Sequence, residues 1–318
     1  MRKVILLCIM LGPLLWAVEP WTGTIDVGPW WVKDNAGAQQ WHQYRGICVL
    51  NDSVAWVVGD TGEVYKRTGG LHSHTWTHVT NLPVLYTNYH FNDVFFINAD
   101  TGWIVGEYKH SAGTHDTLRY RGVIYRTTNG GTSWANQTPL LSYDPYPTPF
   151  LKVEFVDGSD GYITCGNGMV IKTEDGGETW NRTTSDPWND TYNTSVWYGG
   201  LHVVNSDSLW VSGDGFGIMS KSTDGGATWT SYQPNEFKQT YTFPSGTSTP
   251  YDTRLANFDA QYSSINSGFV ALSYGKIGKT TNGGTSWDTT GYEPKATWLY
   301  DVARGQNDTC FTVQVFPR

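Results

Sequence analysis

Nine residues recur four times with little change: Arg126-Thr-Thr-Asn-Gly-Gly-Thr-Ser-Trp134, Lys172-Thr-Glu-Asp-Gly-Gly-Glu-Thr-Trp180, Lys221-Ser-Thr-Asp-Gly-Gly-Ala-Thr-Trp229 and Lys279-Thr-Thr-Asn-Gly-Gly-Thr-Ser-Trp287. Two worn copies precede them, Lys66-Arg-Thr-Gly-Gly-Leu-His-Ser-His-Thr-Trp76 and the weaker Lys33-Asp-Asn-Ala-Gly-Ala-Gln-Gln-Trp41. Successive clear copies lie about 50 residues apart, the length of one supersecondary unit. A unit of that size cannot bury its own apolar faces, so the chain must stack copies against one another.

The chemistry of the repeat is that of a turn. Asn129, Asp175, Asp224 and Asn282 are each followed by paired glycines (the first being Gly130, Gly176, Gly225 and Gly283), which accept positive φ while the Asx side chain bonds nearby amides. A Ser or Thr hydroxyl two residues earlier adds a further local bond. Trp134, Trp180, Trp229 and Trp287 then open the next strand, their rings expected to pack over the turn and pin the hairpin's register. So read, the repeat is structural and carries no catalysis.

A second unit lies upstream of each box: Asn51-Asp-Ser-Val-Ala-Trp56-Val-Val-Gly-Asp60, Asn98-Ala-Asp-Thr-Gly-Trp103-Ile-Val-Gly-Glu107, Asp157-Gly-Ser-Asp-Gly-Tyr162-Ile-Thr-Cys-Gly166 and Asn205-Ser-Asp-Ser-Leu-Trp210-Val-Ser-Gly-Asp214. Weaker forms lead into Phe269 and Phe311. Each joins a polar turn to a strand apolar on both faces, as a sheet sandwiched between neighbours requires. One repeat therefore reads as strand a, polar turn, strand b, Gly turn, strand c, box, strand d. Antiparallel four-stranded units in series predict an all-β fold, a β-propeller. Five units are complete. Residues 298–304 and 309–316 supply strands a and b of a sixth, whose c and d are expected from Pro29 to Lys33 and Trp41 to Arg45 at the other end. Such sharing between the termini removes exposed sheet edges. Six blades follow from this arithmetic, and seven is the alternative.

Composition narrows the function. Of 318 residues 15% are aromatic and only 16% charged, which supports a large core and argues against disorder. The net charge of −8, with no basic stripe, makes nucleic acid a poor partner. Arg2 and Lys3 followed by the apolar run Val4 to Trp16 read as an export signal, residues 1–17, ahead of a single domain over 18–318. The alternative is an uncut N-terminal anchor. No later segment is apolar enough for a stable membrane span, so a secreted, periplasmic or cell-surface location is expected. Cys48, Cys165 and Cys310 sit in strand-like runs and read as buried thiols; a Cys48–Cys310 bridge would require the chain ends to meet. His72, His74 and His78 alternate in the worn box and read as an incidental cluster. No metal set, phosphate loop, cofactor fingerprint or Ser-His-Asp grouping appears, so no cofactor is expected.

The strand Gly102-Trp-Ile-Val-Gly106 combined with the Thr-x-[Asn/Asp]-Gly-Gly-x-[Ser/Thr]-Trp box resembles the Asp-box, or bacterial neuraminidase repeat, propellers. Within them it is most similar to the photosystem II stability/assembly factor-like group, over roughly residues 29 to 316. The resemblance implies a non-enzymatic, seven-bladed scaffold that binds a client protein; the count of six departs from it. Sialidases, xyloglucan hydrolases and sortilin-type receptors share the box, so a glycan-binding or glycoside-hydrolysing propeller stands as the alternative. Against it, the sialidases' Arg-Ile-Pro signature is missing, no Tyr–Glu pair aligns to a shared site, and one propeller cannot form the two-domain clamp of the xyloglucan enzymes.

Alternate turns of a blade lie at opposite ends of the ring. The a–b turns and boxes share one end, and the d–a and b–c connections share the other. Nearly all length variation falls on the second end, where binding sites concentrate. Tyr146, Trp188, Tyr192, Trp197, Tyr198 and Tyr241 in its long d–a connections are candidate anchors for protein or stacking platforms for sugar. Arg45, His90, Arg254, Asp301 and Arg304 fall near expected inner-strand starts and are candidates for the channel mouth, with converging Arg favouring a carboxylate or acidic peptide. The alternative for these five is salt bridging along the channel.

Overall fold

The structure, a computed structural model, describes residues 44–70, 73–83, 88–109, 120–139, 148–166, 168–185, 187, 199–213, 218–232, 234, 237–240, 252–254, 257–272, 277–290, 298–304 and 310–315. Five antiparallel sheets of four strands run in chain order. Blade 1 is β1 (Tyr44–Val49), β2 (Ala55–Gly59), β3 (Val64–Gly70) and β4 (Ser73–His78). Blade 2 is β5 (Tyr89–Phe96), β6 (Gly102–Lys109), β7 (Tyr120–Thr127) and β8 (Ala135–Asn136). Blade 3 is β9 (Phe150–Phe155), β10 (Gly161–Cys165), β11 (Val170–Thr173) and β12 (Asn181–Arg182). Blade 4 is β13 (Gly200–Val203), β14 (Leu209–Ser212), β15 (Met219–Ser222) and β16 (Thr230–Tyr232). A separate hairpin, β17 (Lys238–Thr240) with β18 (Asp252–Arg254), precedes blade 5, which is β19 (Asn257–Ser264), β20 (Ser267–Leu272), β21 (Ile277–Thr280) and β22 (Asp288–Thr290). A two-stranded sheet of β23 (Trp298–Arg304) and β24 (Cys310–Val315) follows. The a strands β1, β5, β9, β13, β19 and β23 neighbour one another in that order, as expected around a propeller channel.

The repeat arithmetic thus meets five whole blades and the first two strands of a sixth. Most of the segments expected to complete that sixth blade, and the export signal, lie outside the described residues. Tyr44 and Arg45, assigned by sequence to the closing strand, instead open β1, with Arg45 at a bulge between two residues paired to β2. The preceding Trp41 had suggested a box exit, but the backbone pairs Tyr44 with Gly59.

The hydrophobic core is a series of layers between blades. Trp56 and Val58 of blade 1 share one layer with Phe91, Val94, Phe96 and Tyr125 of blade 2. Trp103, Val105 and Ile124 of blade 2 share the next with Phe150, Val153 and Phe155 of blade 3. The b strands β2, β6 and β10 are therefore buried on both faces, which explains their unbroken apolar sequence.

The boxes close as their sequence dictates. In blade 2 the Thr127 hydroxyl accepts the Gly131 amide at 2.9 Å and donates to Asn129 Oδ1, which accepts the Ser133 amide. Blades 3, 4 and 5 repeat the pattern through Thr173, Ser222 and Thr280. Both glycines of each box have positive φ. The first Gly amide donates to the a–b turn of its own blade, from Gly130 to Asp100 O and from Gly176 to Ser159 O, so these turns do share one end. Blade 1 lacks the Asx-Gly-Gly sequence and uses the buried Arg67, whose guanidinium donates to Asp52 O in the a–b turn and to Gly70 O.

The box also acts between blades, which a turn motif alone does not announce. Trp56 stacks on Phe96 of the next blade at 4.5 Å, Trp103 on Phe155 at 3.6 Å, and Trp210 on Tyr262 at 4.7 Å. The box Trp of the following blade meets this stack edge-on, Trp134 against Trp56 and Trp180 against Phe155. The basic residue opening each box lies over its own blade's b-strand ring: Lys66 over Trp56, Arg126 over Trp103, Lys221 over Trp210. Lys66 Nζ then donates to Gly130 O and Lys221 Nζ to Gly283 O, each in the next blade's box. One phrase thereby fixes both a hairpin and the joint to its neighbour.

Inner-strand side chains add a second set of joints. Asp93 Oδ2 accepts the Val153 amide and Glu154 Oε2 accepts the Val203 amide, each reaching the next blade. Burial pushes the Glu154 carboxyl up to about 8; the Val203 amide opposes the rise, Asp93 adds to it, and Lys152 opposes it. His202 lies 3.5 Å from its other oxygen. An acid raised in the folded state contributes stability that is full below its unfolded value and is lost as pH rises through the folded one. Native stability is therefore expected to fall between about pH 4.5 and 8, by at most about 1.4 kcal/mol per pH unit from this group. Glu154→Gln keeps an acceptor for Val203 and removes the titration. Urea midpoints across that window should fall in the wild type and stay flatter in the variant; parallel curves would contradict the assignment.

Candidate functional site

Four strand ends meet on the end of the ring that carries the d–a and b–c connections. Arg45 opens β1, Asp60 follows β2, His90 lies at the start of β5, and Glu107 lies near the end of β6. Arg45 Nε donates to Asp60 Oδ1 at 2.6 Å, and His90 Nδ1 lies 2.9 Å from the same oxygen. Arg45 also donates from Nη1 to Asn92 Oδ1 at 3.1 Å, and Asn92 in turn donates to Phe150 O of blade 3. His90 and Glu107 face each other in the β5–β6 register. Glu107 is only 8% exposed. Burial pushes its carboxyl up, against the lowering pull of Arg45 and His90, while Asp60 raises it further and Lys109 lowers it.

Local backbone explains why these groups converge. A bulge between Phe91 and Asp93 swings the start of β5 so close to β6 that a Cβ at Gly106 would overlap the His90 carbonyl. Blade 1 turns from β2 to β3 through a short 3-10 segment, Asp60–Gly62, in which Thr61 holds φ of 58°. A β-branched residue there is strained by about 1–3 kcal/mol. The turn is closed by the Gly59 amide on Glu63 O and by the Glu63 amide on Asp60 O.

Of the residues singled out by sequence, Arg45 and His90 are brought together, through Asp60. Arg254 is not at an inner-strand start: it lies in β18 and pairs with Lys238, because the blade 4 to 5 connection carries its own hairpin and β19 begins at Asn257. Arg304 closes β23 and pairs with Cys310, which puts it at the a–b turn end, opposite the mouth. Asp301 sits at a bulge in the middle of that strand, the register position that Asp93 holds in β5. Tyr146, Trp188, Tyr192, Trp197, Tyr198 and Tyr241 lie outside the described residues. Sequence reasoning missed Asp60 and Glu107 as site residues. The available signal was an acid directly after the Gly that closes strand b, in Val58-Gly-Asp60 and Val105-Gly-Glu107.

Three other sets of reactive side chains lie among the described residues. Tyr65 lies beside Glu63 and Tyr44, a Tyr–Glu pairing that sequence reasoning did not align. Burial first, then the Glu63 carboxylate, push the Tyr65 phenol up, the reverse of what a nucleophilic phenolate needs. His78 stacks on Tyr65 and lies 3.3 Å from Glu63, and no group of three His, Cys, Asp or Glu suited to a metal occurs among the described residues. Cys48 is a thiol in no disulfide, pushed up to about 11 by burial, and Cys165 is a buried thiol in no disulfide, so neither is set up as a nucleophile.

On the opposite end, a groove of about 450 Å³ runs between the boxes of blades 3 and 4, lined by Lys172, Asp175, Arg182 and Asp224 among others. Asp175 and Asp224 are committed to their own turns, and Lys172 pairs with Glu174 at 2.7 Å.

The fold and this mouth define a β-propeller with a charged channel opening. The family model described as "Photosynthesis system II assembly factor YCF48" matches residues 145–236, which are blades 3 and 4 with the connection before them. The solved structure of YCF48 from Cyanidioschyzon merolae is similar at 18% identity and a TM-score of 0.51, over 86% of this chain and 93% of that one. A structure of YCF48 bound to D1 peptide is similar at 15% identity and TM-score 0.46, over 86% and 90% of the two chains. The C-terminal WD40 domain of Sif2 gives a TM-score of 0.53 at 8% identity, over 85% of this chain and 66% of that one. No curated protein sequence matches the chain. The chain is a β-propeller, and its blades 3 and 4 are similar to that family. Among the described residues no helix is long and apolar enough to cross a membrane.

Proposed function

We propose that this protein is an exported, non-catalytic propeller scaffold that binds a protein or peptide partner on the loop-bearing end of the ring, as an assembly or stability factor does. The observation that carries the reading is the mouth itself. Arg45, Asp60, His90 and Glu107 come from two blades and converge at inner-strand ends, on the end with the longest connections. Rigid strands hold the charges at the end of the ring that carries the longer connections, which suits recognition of an extended chain. The match of blades 3 and 4 to the assembly-factor family model supports the same class. Export rests on the positive and apolar segment at residues 1–17, and places the protein outside the cytoplasm: periplasmic, cell-surface or secreted.

The test is selection of a random peptide display library on the immobilised protein. An enriched consensus sequence, absent from selections on bare support, is expected. Repeated selections without enrichment would contradict the reading.

A further inference from the structure

We propose that the channel mouth between blades 1 and 2 is a subsite for one cationic group of the partner, a lysine or arginine side chain or a peptide's N-terminal ammonium, received by the carboxylates of Glu107 and Asp60. The inference rests on the peptide-binding reading and deepens it by naming the chemistry recognised.

The mouth looks basic in sequence, because Arg45 and His90 are its legible members. The geometry reverses that reading. Arg45 is partly engaged: its Nε is on Asp60 and its Nη1 on Asn92. His90 uses Nδ1 on the same Asp60 oxygen. Asp60 meets both through Oδ1 alone among the described residues. Glu107 is more than nine-tenths buried, its carboxyl makes no hydrogen bond or ion pair with any described residue, and it lies near Asp60, a like charge. A carboxyl largely withdrawn from water and without a protein donor is costly, and an incoming N–H donor with positive charge lowers that cost. An incoming carboxylate would meet two acids and a guanidinium whose charge is already balanced by Asp60. Lys109 and Arg121 flank the site but are exposed to solvent, where their charge is screened. The chain's net charge of −8 draws cationic segments toward it at long range.

The selection described above separates the two levels of the proposal. Peptides recovered on the full-length wild-type protein should be enriched in Lys or Arg, and a recovered peptide should bind at least about tenfold more weakly when that residue is changed to norleucine. Glu107→Gln should abolish both the enrichment and the tenfold difference while leaving the melting temperature within a few degrees. Asp60→Asn, which releases Arg45 and His90, should shift selection toward peptides bearing Asp or Glu. Enriched peptides with no basic residue, or a Lys dependence unchanged by Glu107→Gln, would overturn the cation subsite and leave the peptide reading standing. Failure to enrich any peptide would overturn both. Free spermidine binding with the same Glu107 dependence, without any peptide enrichment, would reassign the site to small cations and likewise sink the proposal.

Discussion

Trp103→Ala is expected to cost on the order of 4 kcal/mol, enough to leave much of the chain unfolded at modest denaturant. Trp103 is fully buried, makes two ring contacts of its own and is linked to a third. It stacks on Phe155 of the next blade at 3.6 Å, lies under the Arg126 guanidinium, and through Phe155 reaches the box residue Trp180. Truncation removes a large apolar transfer contribution and leaves a cavity that two rigid sheets cannot collapse to fill. Because the joint is between blades, the loss should spread to its neighbours, and denaturation followed by Trp fluorescence should broaden as well as shift. Trp103→Phe, which keeps a ring to stack on Phe155, should recover more than half of the loss. An alanine variant within about 1 kcal/mol of wild type would show that the inter-blade stack is not what holds the ring.

Gly131→Ala is the second large effect, about 3 kcal/mol, from a single added methyl group. The residue holds φ of +84°, where an L side chain is strained, and its Cβ would overlap the Trp56 ring of the preceding blade. Gly70→Ala in the worn box supplies the contrast, since nothing lies within 4 Å of its Cβ position. Thermal melts of the pair should differ by several degrees. Equal melting temperatures would refute the claim that the box glycine is needed for close approach between blades as well as for its turn.

The difference between these two glycines shows what the sequence can and cannot convey. Thr127-Thr-Asn-Gly-Gly predicts a turn with positive φ, because that follows from local chemistry alone, and the turn closes as predicted. That Gly131 also admits Trp56 depends on a residue about 75 positions earlier, and nothing in the box announces it. The same limit governed the mouth. Arg45 and His90 were legible because they stand near strand starts. Asp60, which joins them, lies beyond the end of β2 and was read as part of a turn. Arg254 was misplaced because a loop rich in Thr and Ser hid a hairpin, and Arg304 because β23 runs through it to the far end. Strand order within a blade was legible because it follows from a repeat; ligand chemistry was not, because it depends on which charges are already paired.

The position of a bound peptide on the ring decides which end is the binding face. A benzophenone amino acid placed at Lys109, on the loop-bearing end, or at Thr132, in the blade 2 box on the opposite end, would record contact by light-induced cross-linking to a selected peptide. Both positions are exposed. The account predicts cross-links from position 109, lost when unlabelled peptide competes, and none above background from position 132. Cross-linking from position 132 alone would place the binding face on the box end and contradict the proposal.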